Sequence, residues 1–242
     1  MGRRRGLRQI AIVLAALAAY ELARRLIAPD WPLAQRHAHD VLGWERGLHL
    51  DGERTAQRAV LPLPGAMVAF GVLYLGAQFA GTGAFLVWLY RRSFAAYRRF
   101  RDALLVATAL ALVVQWRFPV APPRLAGVGV DDGLLRFLHL DIGSRTSAAP
   151  TDPVAAMPSL HAGWALAVGV GLVLYARSRA WRAVGVAYPA AVVLATIVTG
   201  NHFVLDAAAG VAVVAAGFAV AELIRVPRGA TLLPATRGGA VR

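Results

Sequence analysis

The chain has 242 residues, 58% of them hydrophobic, with a net charge of +13 and no cysteine. Soluble domains are about 45–50% apolar, so the composition excludes an ordinary soluble globule, and the missing cysteine excludes disulfides and thiol chemistry. All 26 basic residues are arginine and the pI is near 11.5, which could suit nucleic acid; apolar runs of about 20 residues, enough for a helix to cross a bilayer, make membrane topology the better reading of that charge.

In chain order the apolar runs predict six spans: residues 7–27, 65–90, 103–116, 158–175, 181–199 and 203–224. The expected fold is all-α, a polytopic six-transmembrane-helix bundle, because open sheets leave backbone groups unsatisfied in lipid. The first span also has the basic head and short apolar core of a signal peptide. An uncleaved span is preferred, because apolar character continues through Leu22, Ala23, Leu26 and Ile27. The second is long enough to tilt or break near "GAQFAGTG". Residues 31–58 mix apolar and charged positions with Trp31 and Trp44, and suit amphipathic helices lying in the outer interface. Residues 134–140, "LLRFLHL", suit the same role. Gly163, Ala167 and Gly171, four apart, let helix backbones approach closely, and internal packing is preferred over a dimer interface. After Val226 the Gly, Pro and Arg content predicts a disordered cytoplasmic tail. The chain thus divides into a first span (1–28), a membrane domain (29–225) and a tail (226–242).

Arginine is distributed unevenly between the spans. Four segments, around Arg5, Arg99, Arg179 and Arg228, hold 16 arginines with only Asp102 and Glu222. The other segments hold 10 arginines and 11 acids. Arginine excess marks the cytoplasmic side, and all four rich segments fall on one side of a six-span topology. Both termini are therefore expected in the cytoplasm, in a multi-pass cell-membrane protein.

Three polar stretches then meet at the opposite, extracytoplasmic face: "RFPVAPPRL" (117–125), "MPSLH" (157–161) and "GNHFVLD" (200–206). Convergence of polar groups at one depth marks a site. His202 and Asp206 are four apart, so on one helix they share a face, and the carboxylate can fix the imidazole tautomer. Pro158 suits the first turn of a helix, whose amides make an anion site beside Ser159 and His161. Prolines stiffen the chain between Arg117 and Arg124, and guanidinium forks suit phosphate oxygens. Arg117 also suits simple snorkelling to the interface. Two histidines, a carboxylate and arginines at a helix start fit phosphoryl transfer without a metal or cofactor. His37, His39, His49 and His139 are expected to be solvated interface histidines, and Glu21 to pair with Arg24 or Arg25.

These motifs resemble the type 2 phosphatidic acid phosphatase superfamily, whose motifs run Lys-x6-Arg-Pro, Pro-Ser-Gly-His and Ser-Arg-x5-His-x3-Asp. Here they read Arg117-x6-Arg124-Leu125, Pro158-Ser159-Leu160-His161 and His202-x3-Asp206, with Ala195-Thr196 in place of Ser-Arg. "PVAPPRL", "MPSLHAGWAL" and "GNHFVLD", with "ERGLHLDGERTAQ" before the second span, look like the branch containing inositol phosphorylceramide synthases. The resemblance implies a six-helix bundle and catalytic roles for His202 as nucleophile, Asp206 as its orienting partner and His161 as general acid. It implies phosphate binding by Arg124, Arg117 and Ser159. Asn201 or helix amides would stand in for the missing third-motif arginine.

The expected activity is a lipid phosphatase or phosphotransferase working through a phosphohistidine, with a lipid phosphate and the bilayer as partners and no nucleic acid. Transfer to inositol or another hydroxyl is one alternative, and hydrolysis by water the other. A serine protease built on Ser159, a metal site from His161, His202 and Asp206, and a transporter are competing classes.

Overall fold

A computed structural model describes residues 2–26, 30–141 and 154–225, and these are helical, with no strand among the described residues. In order they form α1 (Gly2–Leu26), α2 (Trp31–Leu48), α3 (Glu53–Val60), α4 (Pro64–Gly76), α5 (Thr82–Arg92), α6 (Phe94–Arg117), α7 (Gly133–Leu138), α8 (Leu160–Tyr175), α9 (Arg179–Val198) and α10 (Val204–Arg225). The tail from 226 onward, with its expected disorder, lies outside the described residues.

Among the described residues, four stretches are long and apolar enough to cross a membrane: 4–24, 64–92, 179–198 and 204–225. The other two expected spans correspond to α6 and α8, which are not among these four. α6 opens with Arg98, Arg99, Arg101 and Asp102, and α8 is apolar but only 16 residues long. The expected break in the second span is a single π turn, Ala77–Gly81, between α4 and α5. Such turns disturb the carbonyl ladder, and Tyr188 of α9 donates its hydroxyl to the Ala77 carbonyl at 3.1 Å.

Serines start three of the helices. Ser93, Ser159 and Ser178 each accept a backbone N–H from three residues on, at 3.3 Å, and cap α6, α8 and α9. α8 packs along α9 and α10, and α10 along α6. The Gly163 stripe serves this internal packing. A Cβ on Gly163 would lie 2.5 Å from the Gly210 carbonyl oxygen, so α8 and α10 touch backbone to backbone there. Phe85, Leu89, Phe100, Leu104, Val168 and Val214 fill the middle of the bundle. α1 packs mainly on α6 and stays at the periphery.

The two ends of the bundle differ. At one end Asp102 accepts from Arg101 and Arg225, and Glu222 from Arg99 and Arg225. Arg92 and Arg182 donate to the carbonyls of Tyr175 and Ala176 and close the C-terminus of α8. The two acids in the arginine-rich segments are therefore both paired. Within α1, Glu21 pairs with Arg24 at 2.8 Å.

At the other end α2, α3 and α7 cover the loops. α2 is amphipathic as expected, but its buried stripe of Ala34, Ala38, Val41 and Glu45 faces protein. The apolar part packs with Val120, Ala121, Val154, Ala156 and Phe203. α7 likewise buries Leu134 and lays Leu138 against Gly71 of α4. His37 departs from the expected solvated state. Its ring stacks on Phe118 at 3.9 Å, and its Nδ1 lies 2.8 Å from the Pro119 carbonyl. His39, His49 and His139 are exposed, as expected.

Candidate active site

The site is assembled from three loops. Val120 and Ala155 form an isolated parallel bridge: the Val120 N–H donates to Val154, and the Ala156 N–H returns to Val120, at 2.8 and 3.0 Å. Ala121 N–H donates to the Ala34 carbonyl at 3.1 Å and joins α2 to the same loop. This pairing fixes the direction of the Ala156 carbonyl, and that carbonyl meets His202.

His202 is buried, and its Nδ1 lies 2.8 Å from the Ala156 oxygen. Asp206 Oδ2 is 3.4 Å from the same nitrogen. Both neighbours are acceptors, so Nδ1 carries the proton and Nε2 keeps the lone pair. Asp206 was expected to be the orienting partner; the backbone carbonyl is nearer. The closest contact of Asp206 Oδ2 is instead with the Phe203 N–H, at 2.9 Å.

His161 stands in the first turn of α8. Ser159 is the cap, and Pro158 lies before it, so the helix begins two residues later than expected. Pro158 is outside the first turn because its neighbour takes the extended cap conformation, φ −73° and ψ 102°. The Ser159 N–H donates to the Asp206 carbonyl at 2.9 Å and ties the start of α8 to α10. The His161 ring stacks on Tyr74 of α4, with centroids 4.3 Å apart. It faces the His202 ring at 5.8 Å.

Arg124 sits in a short turn, Pro123–Leu125, after two prolines. Its side chain is 4% exposed, with Nε donating to Asn201 Oδ1 at 3.0 Å and an NH group donating to Asp132 Oδ2 at 2.8 Å. Its own N–H donates to the Gly200 carbonyl at 3.0 Å. Gly200 has φ +78°, and a Cβ there would lie 2.7 Å from the Asp131 carbonyl oxygen, so only glycine fits that approach. Asn201 donates in turn to Thr199 Oγ1 at 2.9 Å. Arg117 is exposed at the end of α6 with its guanidinium over Trp116, 5.5 Å from the ring centre. Of the two expected arginines, Arg124 is the one held in place.

The amides that start α10 are engaged by carboxylates. Phe203 is held by Asp206, Val204 by Glu53 at 3.0 Å and Leu205 by Glu45 at 2.7 Å. Burial, partly offset by the Leu205 hydrogen bond and reinforced by Glu53 and Asp206, raises the Glu45 pKa from 4.5 to about 8. Both glutamates lie in the stretch "ERGLHLDGERTAQ", but the sequence alone attaches no role to either. The signal was present: residues 34, 38, 41 and 45 follow one helical face, as do 53 and 57, so each acid lies on its helix's buried stripe. Tyr74 and Asp132 were also missed, and an aromatic within an apolar span carries no distinguishing mark.

A buried histidine just before α10, a second in the first turn of α8, a fixed guanidinium and a capped helix start make an arrangement suited to phosphoryl chemistry. The family model of the PAP2 superfamily matches residues 39–220, and the chain belongs to that superfamily. It is accordingly a phosphatase- or phosphotransferase-type enzyme of the type 2 phosphatidic acid phosphatase class, for which a lipid phosphate fits as substrate. Comparison with curated proteins gives no match, and neither does comparison with solved structures.

Proposed function

We propose that the chain is an integral membrane enzyme that transfers the phosphoryl group of a lipid-linked phosphate through a phosphohistidine on His202. The observation that carries this reading is the pair of rings, His161 in the first turn of α8 and His202 in the loop before α10, brought to 5.8 Å between centroids. His202 Nε2 attacks phosphorus with its lone pair, and the phosphorus–oxygen ester bond breaks. His161 gives its proton to the departing lipid oxygen. A hydroxyl acceptor then attacks phosphorus, returns a proton to His161 and releases His202. Arg124 and the first amides of α8 stabilise charge on the equatorial oxygens. Ser159 lines the same start, and Asn201 holds the Arg124 fork. Arg117 is assigned to the membrane interface, where phosphate headgroups pass.

The arginine distribution supports six spans, with α6 and α8 as the third and fourth, both termini cytoplasmic and the site extracytoplasmic. The motif departures, above all Leu160, favour transfer to inositol or another hydroxyl over transfer to water. A protease based on Ser159 is disfavoured because Ser159 is fully buried and its oxygen is occupied as the α8 cap.

A panel of lipid phosphates, with and without labelled inositol, tests this on wild type and His202→Ala. Loss of roughly 10⁴-fold or more is expected in the variant. Full activity of His202→Ala on every lipid that the wild type turns over would overturn the reading. Inositol incorporation separates transferase from phosphatase, and vanadate, a mimic of five-coordinate phosphorus, is expected to inhibit both.

A further inference from the structure

Two buried carboxylates beside the site have no part in the scheme above. Glu45 comes from α2 and Glu53 from α3, and they are 0% and 3% exposed. With Asp206 they take three successive amides at the start of α10. A helix start favours negative charge, which accounts for one carboxylate more readily than for three. None of the described ion pairs involves Glu45 or Glu53. No group of His, Asp and Glu suited to a metal occurs among the described residues. The charge there is relieved neither by arginine nor by a ready cation site.

A proton supplies the relief. The Glu45 and Glu53 side chains are hydrogen-bond neighbours, and Glu45 Oε2 otherwise has no partner among the described residues. With one proton between them, one carboxyl becomes the donor to the other, while both Oε1 atoms still accept their amides.

We infer that Glu45 and Glu53 are positioning residues, a carboxyl pair sharing one proton that clamps the first turn of α10 and so keeps His202 and Asp206 in register. This rests on the reading of His202 as nucleophile. His202 lies just before the clamped amides of Phe203, Val204 and Leu205, so a fray in that turn displaces its ring. The Ala156 carbonyl alone would then have to hold the tautomer. Burial and the neighbouring carboxylates keep Glu45 protonated well above the ordinary carboxylate range. The groups facing it are Glu53 from α3 and Asp206 from α10, with His202 beyond Asp206.

The sign of the pH effect follows. A raised folded-state pKa gives a stabilisation fully present below pH 4.5 and lost as pH rises through about 8. Above that, both carboxylates ionise, repel, and loosen the turn.

The test uses the full-length enzyme in detergent with a lipid phosphate. Glu45→Ala and Glu53→Ala are each expected to lower kcat about tenfold or more with little change in KM, since each removes a clamp on an α10 amide together with the shared carboxyl hydrogen bond. Glu45→Gln can accept from Leu205 and donate to Glu53, as the protonated acid does. It is expected to keep kcat within about twofold of wild type at neutral pH, because donor and acceptor are both preserved, and to lose the fall in activity above pH 8. Wild-type kcat in both alanine variants would overturn the proposal, and so would an alkaline fall retained in Glu45→Gln. If the alanine variants fail to accumulate, the Glu45→Gln profile decides alone. His202→Ala separates the two claims. If it stays active, the nucleophile reading fails; if it is dead while both alanine variants stay intact, only the clamp fails.

Discussion

The starts of α8 and α10 lie against one another, joined by the hydrogen bond from Ser159 to the Asp206 carbonyl, yet they are finished in opposite ways. α8 is capped by a neutral hydroxyl, with a histidine in its first turn and prolines and arginine nearby. α10 is closed by three carboxylates on three consecutive amides. The same backbone feature, a set of free N–H groups with a positive dipole, therefore serves two purposes. At α8 the proposed mechanism uses it to receive an anion. At α10 it is consumed in holding a side chain still. In that mechanism any helix amides standing in for the missing third-motif arginine belong to α8, because those of Phe203, Val204 and Leu205 at α10 already have internal acceptors.

Three further substitutions sharpen this contrast. The largest effect is expected from His161→Ala, which removes the ionisable group at the open start. Loss of its proton transfer lowers kcat by about 10²–10⁴-fold, read in the same lipid-phosphate assay. The loss should shrink for a substrate whose leaving group needs no proton, such as an aryl phosphate; an equal loss on both would remove His161 from the acid role.

Arg124→Ala comes next. It withdraws the fixed cation and leaves the Asp132 carboxylate without its 2.8 Å partner. Stabilisation of transition-state charge by one preorganised donor is worth about 10²–10³-fold. Arg124→Lys should recover little, because a point charge cannot serve Asn201, Asp132 and a phosphate together. Full recovery by lysine would show that only net charge matters there.

Ser159→Ala should give the smallest change. Loss of a serine cap costs about 0.5–2 kcal/mol of stability, measurable as a lowered Tm with activity reduced but present. Complete loss of activity with an unchanged Tm would revive the serine-nucleophile alternative.

Much of this was legible in the chain. Hydropathy located the four long apolar helices within a few residues, because a run of about 20 apolar residues has few other fates. The glycine-rich "GAQFAGTG" marked the π turn, and the spacing of His202 and Asp206 placed both in one buried site. Other features were not legible, for one physical reason. Local patterning reports which face of a helix is apolar and not what that face meets. Residues 31–58 read as amphipathic, and what the sequence did not give is that the buried stripe of α2 packs against the motif loops. His37 looked like a solvated histidine and is bound to the Pro119 carbonyl. Arg117 and Arg124 were both expected to bind phosphate, Arg117 with snorkelling as its alternative, and only Arg124 is enclosed.

The sequence by itself determined the helical class, the arginine asymmetry and the three polar motifs, since these follow from residue type and short-range spacing. The tertiary structure alone decided which acceptor lies nearest His202, which arginine is held and where Glu45 and Glu53 point. Those outcomes depend on loops far apart in the chain meeting within hydrogen-bond distance. The bridge between Val120 and Ala155 aims one carbonyl, and the packing of α2 and α3 over the start of α10 delivers two carboxylates. Directional contacts of that kind come from long-range packing, which no local pattern encodes.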